Sequence, residues 1–365
     1  MDNDVYNYAL AKIFYANPAK GRRVAGMFED LSDLFEVGEK GLVELLNGNS
    51  ELAGKISDPV LLDNSHKELR WAREKGVSVL FQNNARYPKL LKECADAPMA
   101  LFYLGSADLN ERFHISVVGT RMASGYGREE CCSLISSLAS DNVLIISGMA
   151  YGIDICAHRA ALELGLPTVG VLPCGMDSIY PQAHRDTAKR MVENGGIITE
   201  FPPGSGVRRW HFLKRNRIIA GMSRCVVVVE SRLRGGAIRT AEYANSYNRD
   251  VYAVPGRICD TNSSGCNYLI YKNMANIYMC NTFRMDCGLD GTGSPNIFDK
   301  KGLFLFDDDK KEKILLSLKI NSLQDADSLC VSTGLTFEEV ASLLLELEVE
   351  GRIVPDKWCR YRIRN

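Results

Sequence analysis

The sequence predicts an α/β protein: a doubly wound, mostly parallel sheet, preceded by a small helical domain and followed by a small winged-helix domain. Two observations predict the sheet. From about residue 75 to 285, apolar strand-like runs alternate with helical stretches, the pattern of strand–helix–strand units. Several runs, such as "RCVVVVES", are apolar throughout rather than alternating. Parallel strands covered by helices on both faces need no polar side.

Residues 1–66 read as the helical domain. "LSDLFEVGEKGLVELLNG" repeats short helix, Gly turn, short helix, the rhythm of helix–hairpin–helix and SAM-like folds; a plain helical cap has the same rhythm. Residues 67–287 carry nine strand runs: "GVSVLFQ", "ALFYLGS", "HISVVGT", "NVLIISG", "TVGVLP", "GGIITEF", "RCVVVVES", "RDVYAVPG" and "ANIYMC". Right-handed crossovers between them place the turns along one edge of the sheet. Ligands bind outside that edge in open α/β sheets. Residues 288–307, rich in Gly, Asp, Ser and Pro, read as a linker. Residues 308–365 read as helix, helix, Gly turn, helix, then two short strands around a Pro-Asp turn, the outline of a winged helix. Thr336 and Glu339 form a capping-box pair ahead of its last helix. That helix, 337–350, holds five Glu and no Lys or Arg. A helix lying against phosphate should be basic, so this domain reads as a protein-contact module.

The whole chain excludes several classes. No apolar run approaches the roughly 20 residues that cross a bilayer, so no membrane partner is expected. "MDNDVYNYALAKIF" has acids where a signal peptide has basic residues. The 12 cysteines form no CxxC pair, so neither a metal site nor a disulfide framework is expected. Free thiols in a reducing cytoplasm are the plain reading. The formal net charge is −1, so an anion site must come from local clustering.

Four stretches supply such clustering. In "HISVVGTRMASGYG" the glycines Gly119, Gly125 and Gly127 miss the G-x-G-x-x-G spacing, and the next strand ends in Ser147 and Gly148 with no acid. A dinucleotide is disfavoured, and no cofactor is expected. What remains is a set of turn amides with Arg121, which suits a phosphate; a tight turn with an exposed arginine is the alternative. In "SGMAYGIDICAHRAAL", Gly148 and Gly152 mark a second turn, and Asp154 and His158 share a helix face. A structural Asp beside a satisfied His is favoured over an acid–base pair. In "PPGSGVRRWHFLKRNRIIAG", Arg208, Arg209, Lys214, Arg215 and Arg217 interleave with Trp210, His211 and Phe212. Basic residues track a phosphate backbone while aromatics stack on unpaired bases; a solvated basic loop is the alternative. In "VVVVESRLRGGAIRTAEYA", Gly235 and Gly236 lie between a strand and a helix, among Arg232, Arg234 and Arg239. A row of such loops suits a polyanion better than a mononucleotide.

Seven colinear motifs, "VVGTR…YG", "ISGMAYGIDICAHRAAL", "GVLPCGMDSIYP", "GGIITEFPP", "FLKRNRIIAGMS", "VVVVES" and "VYAVPG…GCNYLI", resemble the DNA-processing protein A family (DprA, also called Smf) over residues 70–280. The resemblance implies an extended Rossmann-like core that binds single-stranded DNA without known catalysis. It implies a role in natural transformation, protecting incoming strands and loading the RecA recombinase past single-strand-binding protein. It also implies a homodimer. The family's Gly-Ser/Thr-Arg motif falls on Gly119, Thr120 and Arg121, and its Arg-Asn-Arg motif on Arg215, Asn216 and Arg217. There are departures. A DNA-contacting lysine of the family is Gln182 here, with Arg185 or Lys189 as nearby substitutes. Tyr151 replaces an arginine, and "RGGAIRT" stands for the usual "SGSLIT". The DNA-binding set expected from motifs and resemblance together is completed by Gly148, Gly175, Phe212, Lys214, Arg234, Gly235, Gly236 and Arg239.

Two other classes compete. "RGGAIRTAE" is similar to the Pro-Gly-Gly…Thr…Glu motif of Rossmann-like nucleoside-monophosphate phosphoribohydrolases, with Glu242 as the carboxylate. There, Thr240 is shifted by one and the proline is missing. A pure adaptor working through the winged helix is the third class.

Overall fold

The computed structural model describes residues 3–289, 309–321, 323–349, 351–356 and 360–363. They form two units, one within residues 1–291 and one within 292–365. The linker expected over 288–307 lies outside the described residues from 290 onward.

All nine strand runs enter one sheet: β1 (Ser78–Phe81), β2 (Ala100–Gly105), β3 (Phe113–Gly119), β4 (Val143–Ser147), β5 (Thr168–Val171), β6 (Gly196–Thr199), β7 (Cys225–Glu230), β8 (Asp250–Ala253) and β9 (Asn276–Ile277). Their order is β1-β2-β6-β5-β4-β3-β7-β8-β9. Strands β3 to β9 run parallel, and β1 and β2 add an antiparallel edge. From β3 the chain steps outward through β4, β5 and β6, then returns to lay β7 on the other side of β3. Loops leaving β3 and β7 therefore diverge, and a crevice opens between them.

The burial explains the apolar runs. In β7, Val226 and Val228 enter the core on one face of the sheet, while Cys225, Val227 and Val229 enter the core on the other. Successive side chains point to opposite faces, and here both faces are dry.

In the N-terminal region, Leu31–Glu36 and Glu39–Leu45 are the expected pair of short helices. Leu34 and Leu42 pack with Leu10 and Phe14. The domain boundary expected at residue 66 falls inside the helix Pro59–Glu74. Asp58 caps that helix through the Val60 amide and Pro59 opens its first turn, a strong start signal. No stop signal occurs until after residue 74, and Ala72 packs with Tyr8 and Phe102 against the sheet.

The second unit holds the helices Asp309–Ile320, Ala326–Thr333 and Phe337–Val349, then β10 (Ile353–Pro355) antiparallel to β11 (Tyr361–Ile363). Gly334 takes the left-handed conformation that ends the middle helix. The capping box forms: the Thr336 amide donates to Glu339 Oε2 (3.0 Å), and the Glu339 amide donates to Thr336 Oγ1 (3.4 Å). The eleven cysteines among the described residues are free thiols.

His158 is fully buried in the core of the first unit. Thr168 donates its hydroxyl proton to the Ile145 carbonyl (3.0 Å). It therefore accepts from His158 Nδ1–H (2.7 Å). Thr168 thus orients the His158 ring, and among the described hydrogen bonds His158 makes none to Asp154. Burial pushes its pKa down to about 3, against about 6.5 in the unfolded chain. The unfolded state binds the extra proton, so His158 favours folding fully above pH 6.5 and progressively less down to pH 3. At pH 4.5 the loss should be ~2–3 kcal/mol. Urea midpoints at pH 7.5 and 4.5 check this. His158→Gln should lose less on acidification than the parent; an equal loss rules His158 out as the source.

Candidate nucleic-acid interface

The loop after β3 is fixed by its backbone. The Thr120 amide donates to the Glu230 carbonyl at the end of β7 (2.6 Å). A side chain at Gly119 would run into Ile153, so glycine lets the helix Ile153–Glu163 approach. Arg121 projects outward, its guanidinium 4.6 Å from the centre of the Phe212 ring. Tyr180 meets the same ring edge-on at 5.7 Å. A guanidinium over an aromatic face is a cation–π contact and leaves donors free for a phosphate.

The next helix, Gly125–Ser137, begins where a dinucleotide phosphate would sit. Its cap is internal: Ser124 Oγ accepts from the Gly127 amide (3.0 Å). The buried carboxylate of Glu230 accepts from the Ser124 amide (2.9 Å). This helix start already holds an acidic side chain of the protein's own. The amides expected to help cradle a phosphate are thus partly committed, leaving Arg121 as the outward-facing element of that loop.

A cavity of about 590 Å³ lies at the β3/β7 crevice. It gathers nine of the expected residues: Gly119, Thr120, Arg121, Phe212, Arg215, Asn216, Arg234, Gly235 and Gly236. Arg215 forms its floor. Its Nη1 donates to the Gly148 carbonyl and to the Val171 carbonyl (2.6 Å). Burial lowers its pKa to about 10, with Asp154 opposing the shift, so it is charged at neutral pH. Asp154 is itself raised by burial and pulled back down by Arg215. Gly148 makes room for the guanidinium, which would collide with any Cβ there. Asn216 Nδ2 donates to the Gly236 carbonyl (3.2 Å), tying the helix Arg209–Gly221 to the loop after β7.

The lining also includes polar residues outside the expected set, namely Asp154, Arg209, Ser231, Arg232 and Thr240. The signal for Arg209 was present. Residues 209, 212, 216 and 219 follow helical spacing, and all four line the cavity.

Lys214 and Arg217 lie apart from this cavity. Helical periodicity puts Trp210, Lys214 and Arg217 on a different stripe from Phe212 and Arg215. Arg217 pairs with Glu200 and donates to the Asp96 carbonyl. Lys214 Nζ donates to the Tyr15 carbonyl (2.8 Å), and burial lowers its pKa to about 8 while Glu200 opposes. Both basic groups are engaged by partners inside the protein.

The remaining expected residues lie outside the cavity lining. Gly175 sits in a tight turn, where a Cβ would press on Asp177 Oδ1 and the Pro202 carbonyl. Gln182 opens the short 3-10 helix Gln182–His184, and Arg185 and Lys189 lie on the following helix, Arg185–Asn194. Lys189 pairs with Asp186 at 3.5 Å. Tyr151, in the family's arginine position, is half exposed and packs against His184 at 4.8 Å. Arg239 pairs with Glu242 at 2.7 Å on the exposed side of its helix. Glu242, the carboxylate of the phosphoribohydrolase reading, is not among the cavity-lining residues.

Comparison with known proteins yields a consistent set of matches. The family model for DNA recombination-mediator protein A matches residues 78–285, and that for the DprA winged helix domain matches residues 307–356. The DNA processing protein DprA of Streptococcus pneumoniae is 35% identical over 251 residues, covering 67% of this chain and 88% of the relative. Protein Smf of Synechocystis is 29% identical over 392 residues, covering 98% of each. Among solved structures, the Streptococcus pneumoniae DprA structure aligns with a TM-score of 0.57 and 31% identity, over 68% of this chain and 90% of that one. The structure of DNA processing protein A from Helicobacter pylori, described for its single-stranded DNA binding mode, aligns with a TM-score of 0.53 and 28% identity, over 59% and 96%.

Proposed function

Because this chain belongs to the DNA recombination-mediator protein A (DprA/Smf) family, we propose that its core binds single-stranded DNA across the β3/β7 cavity and delivers that strand to the RecA recombinase. The observation that carries this reading is Arg121 stacked on Phe212 beside Arg234 and above the charged floor of Arg215. The arginines neutralise phosphates, and the half-buried Phe212 ring gives an aromatic contact to an unpaired base that a duplex cannot present. The strand-binding mode described for the Helicobacter pylori relative supports it.

In this reading the protein is no enzyme. It shields incoming strands during transformation and lets RecA nucleate where single-strand-binding protein is bound. It works in the cytoplasm as a homodimer. The open edge at β9, where Ile277 and Met279 are exposed, supports self-association, since an unpaired apolar edge invites pairing. The helix Phe337–Val349 carries only acidic charge, which supports a protein partner for the winged helix.

The test is RecA assembly on strands precoated with single-strand-binding protein. Adding this protein should shorten the lag before RecA-dependent ATP hydrolysis, and the Arg121→Ala variant should not. An unchanged lag contradicts the mediator role.

A further inference from the structure

The helix Arg209–Gly221 borders two cavities. Phe212 and Arg215 line the one described above, while Trp210 and His211 line a second, of about 460 Å³, between the N-terminal helices and the loop after β6. Three rings form its wall: Tyr15 and Phe201 at 5.9 Å, Tyr15 and Trp210 at 6.3 Å, Phe201 and Trp210 at 6.4 Å. Trp210 is 46% exposed, so the wall opens to solvent. Glu200 also lines the cavity, with a side chain only 2% exposed. Its Oε2 is taken by Arg217, whereas its Oε1 has no hydrogen-bond partner, and neither does the Tyr15 hydroxyl. Buried polar atoms are seldom left unpaired, and such exceptions call for an explanation.

We propose that this second cavity is a nucleobase pocket. The exposed Trp210 ring stacks the base, Glu200 Oε1 accepts an N–H from the base edge, and the Tyr15 hydroxyl donates to a neighbouring ring or carbonyl acceptor. Arg217 and Lys214 already offset the Glu200 charge, so the pocket asks for a neutral N–H donor rather than a further cation. Arg208, at the rim, suits the attached phosphate. A strand leaving the first cavity over the start of this helix can place a base here; in that respect the inference rests on the strand-binding reading. A free nucleotide offers the same chemistry.

Calorimetry with deoxyguanosine monophosphate, using base-free deoxyribose 5-phosphate as control, tests the pocket on the full chain. The nucleotide should bind and the control should not. Trp210→Ala should weaken binding about tenfold, Tyr15→Phe should weaken it while keeping the wall, and Arg121→Ala should leave it within about twofold. An oligothymidine titration of the parent chain separates this from the strand-binding reading, and an unchanged urea midpoint reports that each variant is folded. Oligothymidine binding without nucleotide binding overturns the pocket alone. Nucleotide binding without oligothymidine binding keeps the pocket and overturns the strand path. Loss in Arg121→Ala with retention in Trp210→Ala assigns the base to the first cavity and also overturns the proposal. Comparable binding of the base-free control overturns it too.

Discussion

Arg121→Ala is expected to weaken binding of an oligothymidine about tenfold or more, and to lower the slope of log affinity against log salt by about one. A charged hydrogen bond to phosphate contributes ~1.5–3 kcal/mol, and 1.4 kcal/mol is a factor of ten. Arg121 is the cation that the β3 loop holds outward over Phe212. Phe212→Ala should behave differently: a loss of ~1–3 kcal/mol from base stacking with little change in salt slope. Fluorescence anisotropy across a salt series reads both numbers. If the two variants change affinity and slope in the same way, phosphate contact and stacking are not divided between these two residues.

Arg217→Ala is expected to cost ~3–5 kcal/mol of stability, because it leaves the buried Glu200 carboxylate without its main partner. Both side chains are at most 5% exposed. The loss should appear as a lower urea midpoint with an unchanged denaturant slope. Replacing the pair together with apolar residues of similar volume, Glu200→Leu with Arg217→Met, should recover much of it. A loss below about 1 kcal/mol places the pair in the energetic class of exposed salt bridges. The same experiment separates this arginine from those lining the β3/β7 cavity: Arg217 should act on folding, Arg121 on binding.

The sheet was legible because its central strands are dry on both faces, so their apolar runs stand out, and β7 reads as an unbroken run from Cys225 to Val229. The end of the N-terminal domain was less legible, since the helix Pro59–Glu74 continues through residue 66 without a Gly or Pro. At the site, loop glycines and Arg121 were readable from turn chemistry. The division of "RRWHFLKRNR" lies in its helical spacing, which sets Phe212 and Arg215 on one stripe and Lys214 and Arg217 on another. Lys214 and Arg217 look like DNA contacts until Glu200 is brought beside them by the fold, from the far end of β6. The occupation of the β3 helix start by Glu230 was equally hidden, because it depends on β7 lying next to β3 rather than on nearby sequence.

The central claim is that a single strand runs through the β3/β7 cavity, and photo-crosslinking of an oligonucleotide carrying bromodeoxyuridine tests it most directly. The linked peptides, identified by mass spectrometry, should contain Phe212 and the loops bearing Arg121 and Arg234. Crosslinks confined to residues 309–363, with none in the core, would contradict it.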